Sequence, residues 1–253
     1  MRGVLVTGAS RGIGRAVAVA FAATGDRVAV QYASRREDAE ETLALLPGSG
    51  HVLIGADLGD PGAAEQVMGE AVAGLGQVDV LVNNAAVATS PATQHPVATV
   101  SLDVWRTMWR RMIDVNLLAA ADLTWAVARH LIDRKAAGHV VNVGSRGAFR
   151  GEPEYPAYGA SKAALHAFGQ SMAVALAPHR ISVTAVAPGF IATERQMPRL
   201  AGPRGDELRG QSPFGRVGTP DEVAAAVHYL ASAEATWASG TILDLNGASY
   251  LRT

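Results

Sequence analysis

The sequence predicts an α/β fold in which helices cover both faces of a doubly wound, mostly parallel, seven-stranded sheet. Short runs rich in β-branched residues alternate with longer alanine-rich stretches along the whole chain. Most of the short runs are apolar throughout, as expected for strands buried on both faces of a parallel sheet. The predicted strands are Val4–Val6, Arg27–Tyr32, His51–Ala56, Val78–Val82, His139–Val143, Ile181–Val186 and Thr241–Leu245.

Helical patterns separate these strands, and regular strand–helix alternation is typical of a doubly wound sheet. No composition break or linker divides the chain, so we expect a single domain over residues 1–253. The predicted helices are Arg15–Ala23, Ala63–Ala73, Leu117–Lys135, Ser161–Ala177 and Asp221–Ala231.

Two stretches, residues 87–104 and 190–218, interrupt the alternation. Both follow predicted strands, at the edge where sheets of this kind bind their ligands. Long irregular segments in compact domains are usually either functional or disordered. We predict that the second stretch, which is rich in proline and arginine, is a substrate lid.

The composition argues against several classes of protein. The chain has 22 Lys and Arg against 23 Asp and Glu, a net charge of −1, and no basic run that would neutralise nucleic-acid phosphates. It has no cysteine, which excludes disulfides and thiolate chemistry and suits the cytoplasm. No apolar run reaches the about 18 residues of a membrane span. The seven histidines show no pairing of metal-ligand spacing, so we expect no metal, membrane or nucleic-acid partner.

A glycine-rich turn, Thr7-Gly8-Ala9-Ser10-Arg11-Gly12-Ile13-Gly14, joins the first predicted strand to the first predicted helix. Glycines let the backbone approach a pyrophosphate, whose charge is favoured at a helix N-terminus. A glycine-rich turn alone is weak evidence, because a tight strand–helix turn also needs glycines. Its place after the first strand favours a dinucleotide site of the Rossmann type.

The end of the second predicted strand indicates which dinucleotide binds. A carboxylate about 20 residues beyond the turn would bind the ribose 2′-hydroxyl of NAD, but residues 31–36 contain no acid before Glu37. Arg11 and Arg35 instead offer guanidinium groups to a 2′-phosphate, which predicts NADP(H) in preference to NAD(H). The alternative is that Arg35 and Arg36 are solvated charges neutralised by nearby acids.

Tyr158 and Lys162 lie four residues apart in a helical pattern, so both side chains project from one face. Five tyrosines and two lysines would produce this spacing by chance only about 0.04 times in such a chain. Ser145 lies thirteen residues before Tyr158, at the end of a predicted strand. These residues predict a reactive site.

With these motifs in place, the chain resembles the short-chain dehydrogenase/reductase family over essentially its whole length. It is most similar to the 3-oxoacyl-(acyl-carrier-protein) reductases, although sugar and alcohol dehydrogenases share the same features. The matching motifs are, in order, Thr7-Gly8-x-x-x-Gly12-x-Gly14, Asp57-Leu58, Asn83-Asn84-Ala85, Asn116, Ser145, Tyr158-x-x-x-Lys162, Pro188-Gly189-Phe190-Ile191-x-Thr193 and Asn246-Gly247.

The resemblance implies hydride transfer between NADP(H) and a ketone or secondary alcohol, possibly a 3-oxoacyl thioester. Tyr158 would be the general acid or base, with its pKa lowered by Lys162. Ser145 would hydrogen-bond the substrate oxygen, and Asn116 would hold a water connecting Lys162 to solvent. The implied cofactor-binding residues are Gly8, Ser10, Arg11, Gly12, Ile13, Gly14, Tyr32, Ser34, Arg35, Asp57, Leu58, Asn84, Ala85, Ala86, Tyr158, Lys162, Pro188, Gly189, Ile191 and Thr193.

The resemblance also implies a homotetramer formed by two long helices, at about 104–135 and 157–177. Apolar residues that could form its interface, some of which must face the sheet instead, are Leu117, Leu118, Leu123, Val127, Leu131, Leu165 and Phe168. The segment at about 87–108 is longer than in compact reductases and is expected to reshape the substrate entrance.

Two alternatives stay open at this stage: a sugar or polyol dehydrogenase of the same family, and a non-catalytic dinucleotide-binding regulator. A set of arginines in the predicted lid also allows two interpretations. They could bind the phosphate of a phosphopantetheine or coenzyme A substrate, or they could simply keep an exposed loop soluble, which the arginine-rich composition favours. These residues are Arg195, Arg199, Arg204 and Arg209.

Overall fold

The structure is a computed structural model that describes residues 1–252, and it confirms the predicted sheet. Seven parallel strands form one sheet in the order β3-β2-β1-β4-β5-β6-β7. The strands are β1 (Gly3–Val6), β2 (Arg27–Tyr32), β3 (Val52–Gly55), β4 (Val80–Asn83), β5 (Gly138–Val143), β6 (Ile181–Pro188) and β7 (Ile242–Leu245).

Within residues 1–252, ten α-helices connect the strands and cover the sheet. They are α1 (Gly12–Ala23), α2 (Arg36–Leu45), α3 (Ala63–Leu75), α4 (Leu102–Ile113), α5 (Ala119–Asp133), α6 (Gly147–Arg150), α7 (Pro156–Leu176), α8 (Met197–Ala201), α9 (Gly205–Gly210) and α10 (Pro220–Leu230). A π-helical turn, Asp114–Leu118, joins α4 to α5. No helix in the described part of the chain is long and apolar enough to cross a membrane.

The sheet is buried on both faces because each face packs against its own layer of helices. Val17 and Phe21 of α1 and Val227 of α10 belong to the apolar cluster on one face. Val67 of α3 and Leu123 of α5 belong to the cluster on the other. This two-sided burial is why the strand sequences are apolar throughout instead of alternating.

The strand order reverses between β1 and β4, which are neighbours in the sheet although they are far apart in the chain. The connections that leave the carboxyl ends of these two strands pass to opposite faces. A crevice therefore opens at this point, and it is where doubly wound sheets bind their ligands.

Both stretches predicted to be irregular contain helices, so that part of the prediction is wrong. Helix α4 begins at Leu102, inside the first stretch, with the Ser101 hydroxyl accepting a hydrogen bond from Val104 N at 3.3 Å. Apolar residues recur at helical spacing along α4, and the helix that the family resemblance implies at about 104–135 covers most of it. The second stretch contains the short helices α8 and α9.

His95 fixes the extra segment before α4 to the start of α7. Its imidazole is fully buried; Nε2 accepts a hydrogen bond from Ala157 N at 3.1 Å, and Nδ1 lies 2.8 Å from Thr93 O. A carbonyl can only accept, so the Nδ1–H tautomer satisfies both contacts. The backbone N–H of His95 also donates to Glu154 O at 3.0 Å. The segment therefore supports the first turn of the helix that carries Tyr158.

We predict that His95→Leu destabilises the protein by about 1–3 kcal/mol, because it leaves the buried Ala157 N–H and Thr93 carbonyl without partners. The measurement is the free energy of unfolding in urea. His179→Leu, at an exposed position with no such bonds, is the control. Equal free energies of unfolding for the His95 variant and the wild type would show that the hydrogen bonds of the imidazole do not stabilise the fold.

Candidate active site

The glycine-rich turn presents the N-terminus of α1 at the crevice. Gly8 and Gly12 have φ values of +61° and +56°, a conformation that side-chain-bearing residues rarely adopt. Helix α1 has no side-chain cap at Arg11 and no acidic residue in its first turn. The first N–H groups of the helix therefore remain available to a phosphate.

Thr7 holds this turn against the end of β4. Its buried hydroxyl accepts hydrogen bonds from the backbone N–H groups of Asn84 at 2.9 Å and Ala85 at 3.0 Å. The Asn84 amide returns two bonds, to Thr7 O at 2.8 Å and to Gly8 O at 3.0 Å. Buried Gln31 accepts from Gly8 N at 2.9 Å and donates to Ala56 O at 2.8 Å. Sequence analysis missed Gln31, because a glutamine within a strand carries no motif of its own.

A cavity of about 660 Å³ opens at this edge of the sheet, and almost all predicted site residues line it. Asn116 is the exception. The predicted residues on its wall are Gly8, Ser10, Arg11, Gly12, Ile13, Gly14, Tyr32, Ser34, Arg35, Asp57, Leu58, Asn84, Ala85, Ala86, Ser145, Tyr158, Lys162, Pro188, Gly189, Ile191 and Thr193.

The β2 end of the cavity is lined by two arginines and by the carboxylate of Asp57. Arg11 and Arg35 both line the wall. Arg35 is more than half exposed and lies 3.4 Å from Asp38, whereas Arg36 pairs with Glu40 at 2.8 Å and is absent from the wall. The alternative of solvated, neutralised charges therefore fits Arg36 better than Arg35.

Asp57 lies across the same end and is held by a residue that the sequence did not reveal. Its carboxylate accepts from Arg111 Nη2 at 2.7 Å and from Gly59 N at 2.9 Å. Burial alone would raise the pKa of Asp57, but these two donors hold that pKa below its ordinary value. Arg111 comes from α4, and its pairing with Asp57, 54 residues away along the chain, leaves no local pattern in the sequence.

Ser145, Tyr158 and Lys162 come together on the cavity wall beyond the glycine-rich turn. Ser145 follows β5, and the other two residues lie one helical turn apart on α7. Lys162 is only 2% exposed, and its ammonium donates to Val143 O at 2.8 Å. Burial lowers the pKa of Lys162 to about 8, since it disfavours the charged form.

The electrostatic setting of Tyr158 differs from the predicted one. Burial raises the pKa of the phenol above its ordinary value, and nearby Glu152 adds to this rise. The groups that oppose it are the Ser145 hydroxyl and the Arg195 guanidinium, instead of the predicted Lys162. The reason is that the Lys162 ammonium is turned to a backbone carbonyl and is itself poorly solvated.

Asn116 lies in the π-helical turn, behind the cavity wall, and is almost fully buried. Its side-chain oxygen accepts from Val87 N at 2.7 Å, and its amide donates to Ser161 Oγ at 3.0 Å. It therefore joins the end of β4 to α7, next to Lys162. The predicted water relay stays a prediction, and π-helical turns are frequent at functional sites.

The lid arginines divide into two groups. Arg195 and Arg199 line the cavity without a carboxylate partner within 4.0 Å among the described residues. Arg204 also lines it but is bound by Glu207 through two hydrogen bonds. Arg209 lies outside the cavity and pairs with Asp206 at 2.9 Å. The interpretation that these arginines keep the loop soluble fits Arg209. It also largely fits Arg204, because Glu207 compensates its charge.

The residues on the wall fit a dinucleotide. The uncapped N-terminus of α1 suits a pyrophosphate, and arginines at the β2 end suit a phosphorylated ribose. Among residues 1–252, no group of three or more His, Asp and Glu side chains is arranged to hold a metal ion.

Comparisons with known proteins agree with this geometry. Residues 8–247 match a family described as enoyl-(acyl carrier protein) reductase. The 3-oxoacyl-(acyl-carrier-protein) reductase FabG of Escherichia coli is 35% identical over 247 residues, covering 98% of this chain and 96% of the relative. An L-rhamnose 1-dehydrogenase (NAD(P)(+)) of a Sphingomonas species is 34% identical over 251 residues, covering 98% and 96%.

A solved structure of acetoin dehydrogenase YohF from Salmonella typhimurium superposes with a TM-score of 0.86 at 30% identity and covers 100% of this chain and 99% of that one. The sequence matches and the shared architecture extend over nearly the entire chain. The protein therefore belongs to the short-chain dehydrogenase/reductase family, oxidoreductases that bind a nicotinamide dinucleotide and act on CH–OH or carbonyl groups.

Proposed function

We propose that this protein is an NADP(H)-dependent carbonyl reductase or alcohol dehydrogenase that interconverts a ketone and a secondary alcohol. One observation supports this most strongly: Ser145, Tyr158 and Lys162 meet on the wall of the same cavity that the glycine-rich turn lines. A non-catalytic regulator would need the turn but not this trio. A 3-oxoacyl thioester is one candidate substrate, by similarity to FabG.

The nicotinamide, when bound, supplies or accepts the hydride, and the chain handles the proton. Tyr158 serves as the proton donor in reduction, because it lines the cavity beside Ser145 and a phenol carries its proton at neutral pH. Ser145 donates a hydrogen bond to the substrate oxygen as negative charge develops on it. Lys162 provides a buried positive charge one helical turn from Tyr158. Asn116 fixes helix α7, which carries both Tyr158 and Lys162.

A sugar or polyol dehydrogenase remains the second candidate, supported by the similarity to L-rhamnose 1-dehydrogenase. The polar wall of the cavity would suit hydroxyl groups as well as a single carbonyl. Assays with sugars and NADP⁺ beside ketones and NADPH separate the two.

The segment 190–218 is proposed to act as a lid of one catalytic domain. Its first residues already contact the cofactor end of the cavity: Glu194 lies 4.0 Å from Arg15 of α1, and a Cβ at Gly12 would come within 3.1 Å of Thr193 Cγ2. A cytoplasmic location remains a prediction.

The preference for NADP(H) rests on the positive end of the cavity near β2. No acidic side chain precedes Glu37 there to repel a 2′-phosphate, and Arg11 and Arg35 line the wall. The Arg35–Asp38 contact is exposed and long at 3.4 Å, so a phosphate can replace it at small cost.

We also propose a homotetramer, with a correction to the predicted interface. Leu123, Val127, Leu131 and Leu165 are buried in the core of their own chain, because α5 and α7 direct them toward the sheet. Exposed apolar residues nearby are Leu118 in the π-helical turn, Trp125 on α5 and Val174 on α7. Light scattering of wild type should give a multiple of the 26.2 kDa chain mass, and Trp125→Glu should shift it toward the monomer. A monomeric wild type at micromolar concentration would contradict the proposal.

We predict that Tyr158→Phe lowers turnover by about 10² or more on the best ketone of a panel, because the ring stays but the proton donor is lost. NADPH binding, measured by calorimetry, should be nearly unchanged. If the variant keeps wild-type turnover, the assignment of Tyr158 is wrong.

Replacing Arg11 and Arg35 together by Ala should raise the KM for NADPH by about ten- to hundredfold, since each charge-assisted contact with a phosphate is lost. The KM for NADH should change little. Arg36→Ala, which removes an arginine outside the cavity, is the control. Equal wild-type kcat/KM values for the two cofactors would show that these arginines do not select a phosphate.

A further inference from the structure

The end of the cavity beyond Tyr158 is rich in guanidinium groups that the reduction chemistry does not need. Two carboxylates, Glu152 and Glu154, line the same end. The arginines on this wall are Arg146, Arg150, Arg195, Arg199 and Arg204.

Arg146 is the most enclosed of these and follows directly after Ser145. It is only 8% exposed, yet no carboxylate in residues 1–252 forms an ion pair with it. Its Nη1 donates to Ser249 Oγ and its Nη2 to Gln211 Oε1 at 2.6 Å. Both acceptors are neutral, and three of its five N–H donors have no acceptor among the described residues.

An enclosed cation with neutral partners is costly to the protein. Burial, and then the charge of Arg150, lowers the pKa of Arg146, and nearby Glu152 opposes this shift only in part. If the side chain at this position only had to link Ser249 to Gln211, a neutral hydrogen-bond donor such as an amide would suffice. A bound anion would compensate the charge of Arg146 and accept its remaining donors.

The two neighbouring carboxylates offset the five arginines of this wall only in part. Glu154 accepts a hydrogen bond from the Gln94 amide at 2.6 Å, which leaves its negative charge in place. Burial raises the pKa of Glu152, although the nearby charges of Arg150, Arg146 and Arg199 oppose this rise, and the carboxylate forms no ion pair within 4.0 Å in the described part of the chain. Arg150, at the exposed rim, likewise has no ion-pair partner there.

Arg199 adds a second positive group at the lid. Its guanidinium lies 5.4 Å from the centre of the Phe190 ring and 3.3 Å from Gln196 Oε1, so its contacts are also neutral. Arg204 is compensated by Glu207 and contributes little. The wall next to Ser145 and Tyr158 therefore has an excess of positive charge.

We propose that the substrate is a small carbonyl compound that carries an anionic group, a carboxylate or a phosphate, and that Arg146 binds this group with Arg150 and Arg199 at the rim. The inference rests on the proposed function for the identity of the reacting carbonyl. The anion site itself follows from the arginines and can be tested without turnover.

The test is calorimetric titration of the protein saturated with NADP⁺, in which a ketone binds without being reduced. The probes are acetoacetate, its neutral methyl ester, dihydroxyacetone phosphate and dihydroxyacetone. We expect at least one anion to bind about ten- to hundredfold more tightly than its neutral counterpart. The acetoacetate pair reports on a carboxylate and the dihydroxyacetone pair on a phosphate.

Arg146→Met should abolish that preference while leaving the affinity for the neutral probes nearly unchanged. Arg150→Met, at an exposed position that should not disturb folding, should reduce the preference in part. Arg129→Met is the control, because Arg129 is exposed on α5 and absent from the cavity wall.

Equal affinity of the wild type for charged and neutral probes overturns the proposal, as does an unchanged preference in both cavity variants. Parallel assays of NADPH oxidation keep the two claims separate. Preferential anion binding without oxidation of NADPH by any ketone would contradict the proposed function and leave the anion site standing. Turnover of neutral ketones, with equal affinity for charged and neutral probes, would support the proposed function and contradict the anion site.

Discussion

The hydroxyl of Thr7 provides the constraint on which the rest of the site depends. One buried oxygen accepts from two consecutive N–H groups after β4, and the Asn84 amide returns bonds to the carbonyls of the turn after β1. The ends of the two strands at the reversal of strand order are thereby locked together. The crevice that results has a fixed glycine-rich wall, on which the uncapped N-terminus of α1 is exposed.

The second half of the site depends on α7, which is held from several sides. His95 supports its first turn, Asn116 bonds to Ser161 in its second, and the Lys162 ammonium reaches back to β5. These contacts fix Tyr158 relative to Ser145 at the end of a neighbouring strand. Burial lowers the pKa of Lys162 to about 8, and a strongly shifted group in a cleft is typical of a functional site.

Local sequence signals predicted the strands, the glycine-rich turn and the Tyr158–Lys162 pair well. Apolar runs buried on both faces and residue spacings set by helical geometry can both be recognised without knowledge of the fold. The partner of Asp57, Arg111 of α4, was not predicted, because residues 54 apart along the chain leave no local pattern that pairs them.

Contacts between distant segments account for the other differences. His95 and Arg146 look like ordinary residues in the sequence, and only the folded chain encloses one beside α7 and the other beside Ser145. Three of the leucines predicted for an interface, Leu123, Leu131 and Leu165, are core residues, whereas Leu118 is exposed, since a helical pattern alone does not tell which of two apolar faces meets the sheet. The direction of the pKa shift of Tyr158 also depends on the folded chain. Burial raises that pKa, whereas the neighbouring lysine was expected to lower it.

The central claim is that the dinucleotide cavity is a reaction site and not only a binding site. The most direct measurement is the rate at which wild-type protein oxidises NADPH in the presence of charged and neutral ketones, compared with its affinity for NADPH measured by calorimetry. We predict that NADPH binds and that it is oxidised when a ketone is present, with one molecule of alcohol formed for each NADPH oxidised. Tight binding of NADPH with no oxidation in the presence of any carbonyl compound or sugar-derived ketone would contradict it and would indicate a non-catalytic regulator.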